Sequence, residues 1–72
     1  MKHKNLIANS FNENEKKITE KKLLSEYNWD SMTKISLITA INKKYKKNID
    51  YRKFNNLKTF EDLDKLISKT LK

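Results

Sequence analysis

Two side chains stand out in this sequence as candidates for chemistry, Ser31 by its position and His3 as the sole histidine. Ser31 stands between Asp30 and Met32, behind a loop-like segment and just ahead of an apolar pattern with helical spacing from Ile35 to Tyr45. A serine hydroxyl where a helix begins can act as a cap. Once modified, it presents a phosphate to the free backbone N–H groups and to the positive end of the helix dipole. As a hydrolytic nucleophile Ser31 lacks a base, because adjacent Asp30 cannot form a relay with it and His3 is remote in sequence. His3 has no second histidine to join it as a metal ligand, and its place near the N-terminus predicts poor order. There is no cysteine, which excludes a disulfide framework and a thiolate metal site.

Such a site needs a scaffold, and 72 residues make one domain, residues 1–72, with a small core and marginal stability. A pocket enclosed on all sides and braced from behind is hard to build from so little, which argues against an autonomous enzyme and for a carrier, an adaptor or a binding module. No apolar run approaches a membrane span. Asn5-Leu6-Ile7-Ala8-Asn9, after Met1-Lys2-His3-Lys4, is too short for a signal-peptide core. The expectation is a soluble, cytoplasmic protein without membrane insertion.

The 17 Lys plus Arg outnumber 9 Asp plus Glu, for a net charge of +8, which first suggests nucleic acid or an anionic surface. Arg52 is the sole arginine, however, and arginine supplies the bidentate forks that read phosphates and guanine edges. Abundant asparagine and the absence of glycine and proline point to A/T-rich codon usage as one source of the lysines. Charges nearly cancel over residues 1–30, whereas residues 31–47 carry Lys34, Lys43, Lys44, Lys46 and Lys47 without an acid. Four of these surround Tyr45 at the end of the apolar pattern, where cations complement a helix C-terminus.

The elements that must position Ser31 read as helices and loops, with no strands or repeats. Leu6, Ile7 and Phe11 share a face of a short first helix ending between Phe11 and Glu15. From Asn12 to Trp29 the pattern breaks up into a long loop pinned by Ile18, Leu23, Leu24, Tyr27 and Trp29, and its length marks it as functional or as a misread helix. A second helix is predicted from Ser31 to about Lys47, with Leu37, Ile38, Ile41 and Tyr45 in a core-facing stripe roughly 100° wide. Met32 and Ile35 fall off that stripe beside Ser31, as a docking surface or as a patch covered by a flanking loop. A short helical turn around Tyr51 to Asn55 follows, anchored by Phe54. Thr59-Phe60-Glu61-Asp62 has the form of a capping box, and Phe60, Leu63, Leu66, Ile67 and Leu71 continue at helical spacing. The fold class is therefore all-α, a small four-helix bundle of three main helices and one short one.

Ile18-Thr19, Asp30-Ser31-Met32-Thr33-Lys34-Ile35-Ser36-Leu37-Ile38, Tyr45, Ile49, Phe54, Leu57-Lys58-Thr59-Phe60 and Ile67 together resemble the acyl carrier protein family. Its members are four-helix domains of about this length, with a long loop after the first helix and Asp-Ser-Leu or Asp-Ser-Met opening the second. The resemblance covers roughly residues 18–67, and residues 4–17 weakly. It implies that Ser31 accepts 4′-phosphopantetheine from coenzyme A, in a reaction catalysed by a separate phosphopantetheinyl transferase with magnesium. Asp30 would orient the serine region or contact the transferase. The thiol would carry an acyl or aminoacyl group, loaded by a ligase or acyltransferase, on a carrier that is itself monomeric.

This chain also departs from the family. Tyr27-Asn28-Trp29 stands where carriers of fatty acid synthesis often have a glycine, and an aromatic directly before Asp-Ser looks more like specialised carriers of dedicated pathways. Where the family usually has glutamates on the second helix, this chain has Ser36, Asn42 and Lys43. Met32, Ile35, Ser36 and Lys43 are thus the expected partner-binding residues, with the sign of the surface inverted. The alternative from another class is a small cationic helical module that binds nucleic acid or an acidic protein. It would use the same lysines with Tyr45 and Tyr51, but no known recognition motif accompanies them.

Overall fold

In the computed structural model, which describes residues 1–72, the apolar repeats form three α-helices, α1 (Lys4–Phe11), α2 (Ser31–Tyr45) and α3 (Phe60–Leu71). A six-residue 3-10 helix, Tyr51–Asn56, joins α2 to α3, and there are no strands. The expected all-α bundle of three main helices and one short one is the architecture observed. α1 packs on α2, and α2 on the 3-10 helix. No helix is long and apolar enough to cross a membrane.

Each helix start has an identifiable acceptor for its free N–H groups. At α3 the capping box forms: Thr59 Oγ1 accepts from Asp62 N–H at 3.2 Å, and Asp62 Oδ2 accepts from Thr59 N–H at 3.2 Å and Lys58 N–H at 3.1 Å. Those N–H groups, that of Thr59 foremost, hold the Asp62 carboxyl below its ordinary value. α1 has no local side-chain cap. Its start is held instead by Asp64 of α3, which accepts from His3 N–H at 2.8 Å and Lys2 N–H at 3.2 Å. His3 Nε2 also lies 3.1 Å from Ser68 Oγ. The expected poor order around His3 is therefore corrected, since α3 binds this segment through Asp64 and Ser68.

α1 and α2 both stop at a residue in the left-handed region, Asn12 with φ 56° and Lys46 with φ 59°. Glycine is the usual occupant of such a position, and the chain has none. Lys46 turns its N–H back to the Asn42 carbonyl at 2.9 Å, so α2 ends at Tyr45, slightly before the predicted end at about Lys47.

The segment between α1 and α2 is the expected loop pinned to the core, a strap and not a misread long helix. It contains two three-residue 3-10 turns, Glu15–Lys17 and Leu24–Glu26, and buries Ile18 and Leu24. Leu23, expected as an apolar anchor, is 43% exposed; its backbone forms an isolated antiparallel bridge with Thr59. Leu24 N–H donates to the Lys58 carbonyl at 2.8 Å, Phe60 N–H to Lys22 at 3.1 Å, and Glu61 N–H to Glu20 at 3.1 Å. These bonds satisfy the backbone of the strap and bind it to the start of α3. Ile7 and Phe11 of α1, Leu37 and Ile41 of α2, Phe54, and Phe60, Leu63 and Ile67 of α3 meet with Ile18 and Leu24 in a single core.

Candidate functional site

Asp30 and Ser31 divide the two roles that the sequence left open. Asp30 is the N-cap of α2, its Oδ1 accepting from Thr33 N–H at 3.0 Å while its carbonyl accepts Lys34 N–H at 3.0 Å to begin the helical ladder. The Thr33 N–H is the main cause holding the Asp30 carboxyl below its ordinary value, so it is an anion at neutral pH. Ser31, relieved of capping, is the first residue of the helix and is exposed. Its Oγ accepts a hydrogen bond from the Tyr51 hydroxyl at 3.2 Å.

An aromatic chain fixes this corner to the core. Trp29 stacks on Phe11 of α1 at 5.5 Å between centroids and 6° between planes, and stands edge-on to buried Phe54 at 5.3 Å and 78°. Tyr51 meets Phe54 at 6.3 Å and 77°. Aromatic pairs of this kind add directional packing beyond their buried area. Trp29 thereby sets the position of Asp30 from one side, and Tyr51 reaches Ser31 from the other. The ammonium of Lys34 sits against both rings, 5.3 Å from the Trp29 centroid and 5.6 Å from that of Tyr51.

Around α2 the buried side chains are Thr33, Leu37 and Ile41, each four residues after the last, with Ile38 and Tyr45 half-buried against the core. Met32 and Ile35 are 79% and 55% exposed, so no flanking loop covers them. At 100° per residue, Met32, Ile35, Ser36 and Lys43 lie within a sector of roughly 100° that is all exposed, next to Ser31 and away from the core. Lys43 and Lys44 occupy the last turn and complement the helix dipole; Lys44 also lies over the Tyr45 ring at 5.4 Å. Beside Trp29, an open apolar depression of about 300 Å³ is lined by Leu23, Leu24, Ser25, Leu57 and Lys58.

The structure brings Asp30, Ser31, Met32, Ile35, Ser36 and Lys43 onto one helix, while His3 is engaged with Ser68 on α3. Tyr51 and Lys34 are neighbours of Ser31 that the sequence reading did not assign to it: Tyr51 stood in the short turn and in the alternative cationic surface, and Lys34 was one lysine among several. The signal that could have found Lys34 is its place one turn after the serine; the reach of Tyr51 across 20 residues has no local signal. No group of three or more His, Cys, Asp or Glu side chains could hold a metal ion. Comparison with known proteins finds no matching family model, no similar curated protein and no similar solved structure.

Proposed function

We propose that this protein is an acyl or aminoacyl carrier that holds its cargo as a thioester on 4′-phosphopantetheine attached to Ser31. One observation carries the reading: an exposed serine hydroxyl, freed from capping by Asp30, opens a helix whose adjoining face presents uncovered Met32 and Ile35. The surroundings fit a phosphodiester. Ser31 is open to solvent, and Lys34 supplies a cation on the same helix.

In the attachment step Ser31 Oγ bonds to the phosphorus next to the pantetheine of coenzyme A. The bond from that phosphorus to the bridging oxygen breaks, 3′,5′-adenosine bisphosphate leaves, and the serine proton passes to a base of the transferase. Asp30, ionised and held by Thr33 N–H, would orient the serine region or contact the transferase. The thiol of the arm supplies the reactive sulfur that a cysteine-free chain lacks. The phosphopantetheinyl transferase and a loading ligase or acyltransferase are the partners of this reading.

The exposed face of α2 has no acid, and Lys43, Lys44, Lys46 and Lys47 lie along and beyond its end. Electrostatics sets encounter rate and partner choice, so the partners carry neutral or acidic docking faces and enzymes built for acidic carriers are disfavoured. On this reading the carrier serves a dedicated pathway apart from bulk fatty acid synthesis. The cytoplasm, where coenzyme A and the transferase are found, is the matching compartment.

Intact mass after incubation with coenzyme A, magnesium and a broad-specificity transferase tests the proposal, wild type against Ser31→Ala. A single phosphopantetheine addition to wild type alone is expected. No gain, or a gain that survives the alanine change, refutes it. The acid-free stretch of residues 31–47 also favours a second reading, a cationic module for nucleic acid, for which binding must weaken steeply with salt.

A further inference from the structure

We propose that Lys34 is the cation that receives the phosphate attached to Ser31, leaving the rings of Trp29 and Tyr51 to do so. The inference rests on the carrier reading of Ser31 and assigns the residue that answers the modification.

Lys34 follows Ser31 by three residues, a spacing that makes two side chains neighbours on a helix surface. Its ammonium has no carboxylate partner. The ion pairs of the molecule are Met1 with Glu20 and Arg52 with Asp50, and the acid nearest in sequence, Asp30, is engaged by Thr33 N–H. The ammonium rests instead on two aromatic faces, and one of those rings, Tyr51, also hydrogen-bonds Ser31 Oγ. The cation is therefore parked beside the atom to be modified.

A phosphate at Ser31 changes the balance around Lys34. It places a second anion next to the ionised Asp30, and like charges this close repel unless a cation lies between or beside them. Lysine on its flexible stem swings to such a charge, and a charge-assisted hydrogen bond to phosphate is stronger than a cation–π contact at a partly exposed site. Trp29 then loses the ammonium from its face, and as the sole tryptophan it reports the change directly.

The experiment separates this inference from the carrier reading. Ser31→Glu and Ser31→Gln place a carboxylate and its neutral counterpart one turn from Lys34, with no transferase involved. The expected result is a shift in Trp29 emission between the two variants that disappears when Lys34→Met is added and shrinks in about 1 M salt. In parallel, wild type and Lys34→Met are taken to full modification as judged by intact mass, and Trp29 emission is compared before and after. A shift in wild type that is absent in Lys34→Met is expected. Identical emission from the Glu and Gln variants, both folded by circular dichroism, overturns the assignment of Lys34. Mass gain without a Lys34-dependent shift does the same and leaves the carrier reading standing. Failure of wild type to gain mass removes the carrier reading and the phosphate with it, whatever the two substitutions show.

Discussion

Replacing Asp64 with alanine tests whether a carboxylate on α3 really starts α1. Asp64 is 9% exposed and accepts two backbone N–H groups, those of His3 at 2.8 Å and Lys2 at 3.2 Å. A hydrogen bond to a charged group contributes about 1.5–3 kcal/mol net. Water recovers part of this at a partly buried site, and the two bonds share one side chain, so Asp64→Ala is expected to cost about 2–4 kcal/mol in total. A domain of this length has a stability of about 4–11 kcal/mol, which makes the change a large fraction of the whole. With about 4–8 °C per kcal/mol for a small domain, the Tm should fall by at least about 8 °C. Asp64→Asn keeps one acceptor oxygen and turns an N–H₂ toward the second donor, so its loss should be intermediate. Thermal unfolding followed by far-UV circular dichroism at neutral pH measures all three proteins. A Tm of Asp64→Ala within about 3 °C of wild type would mean that the segment before α1 contributes no stability through α3, and the reasoning would fail.

Lys46→Gly should stabilise the protein by about 1 kcal/mol, because a left-handed φ of 59° costs a side chain with a Cβ about that much; urea unfolding reads it as a higher midpoint at unchanged slope. The double change Met32→Ser with Ile35→Ser should leave the Tm within about 4 °C, since both side chains are mostly exposed, while, under the carrier function proposed above, it should slow loading of the arm on Ser31. Acid should weaken the fold below about pH 4. Asp30 and Asp62 are held below their ordinary values by backbone N–H groups, and Asp50 is pushed down to about 2 chiefly by its hydrogen bond with the Arg52 side chain. A carboxyl with a lowered folded pKa adds stability that is complete above its unfolded value and lost as pH falls through the folded one. The Tm should therefore drop steadily toward pH 2, with a shallower slope in Asp62→Asn; a flat profile over that range would contradict it.

What the sequence announced was local. Asp-Ser ahead of an apolar repeat marks the start of α2, Leu37 and Ile41 mark its buried face, and Thr59 with Asp62 marks the cap of α3, because each depends on residues within a turn or two of each other. The offset of Met32 and Ile35 from that buried face was legible for the same reason, but whether a flanking loop covers them was not, and only the fold shows them exposed. The misjudged features are those in which a distant residue supplies the partner. Asp64 serves a helix start 61 residues away, and Tyr51 reaches Ser31 from the next element, so neither leaves a pattern in the neighbouring letters. Leu23 misled for a different reason: its side chain reads as a core residue, but the strap is bound there through its backbone, which every residue has. The end of α2 was placed late because the usual signal, a glycine, is missing and a lysine takes the left-handed conformation in its place.

The pairing of the strap with the start of α3 makes a closed ring of the chain between Leu24 and Lys58, clasped by backbone hydrogen bonds at its neck. Trp29, Ser31, Lys34 and Tyr51 all lie inside that ring, and α1 lies outside it. Closing so long a segment costs entropy that only the finished core repays, which puts the clasp late in folding. The amides of Leu24, Phe60 and Glu61 should then exchange with solvent as one group, at the rate at which the neck opens. The packing of Trp29 and Tyr51 around the serine would then loosen together with the neck, while the Asp30 cap, local to α2, need not.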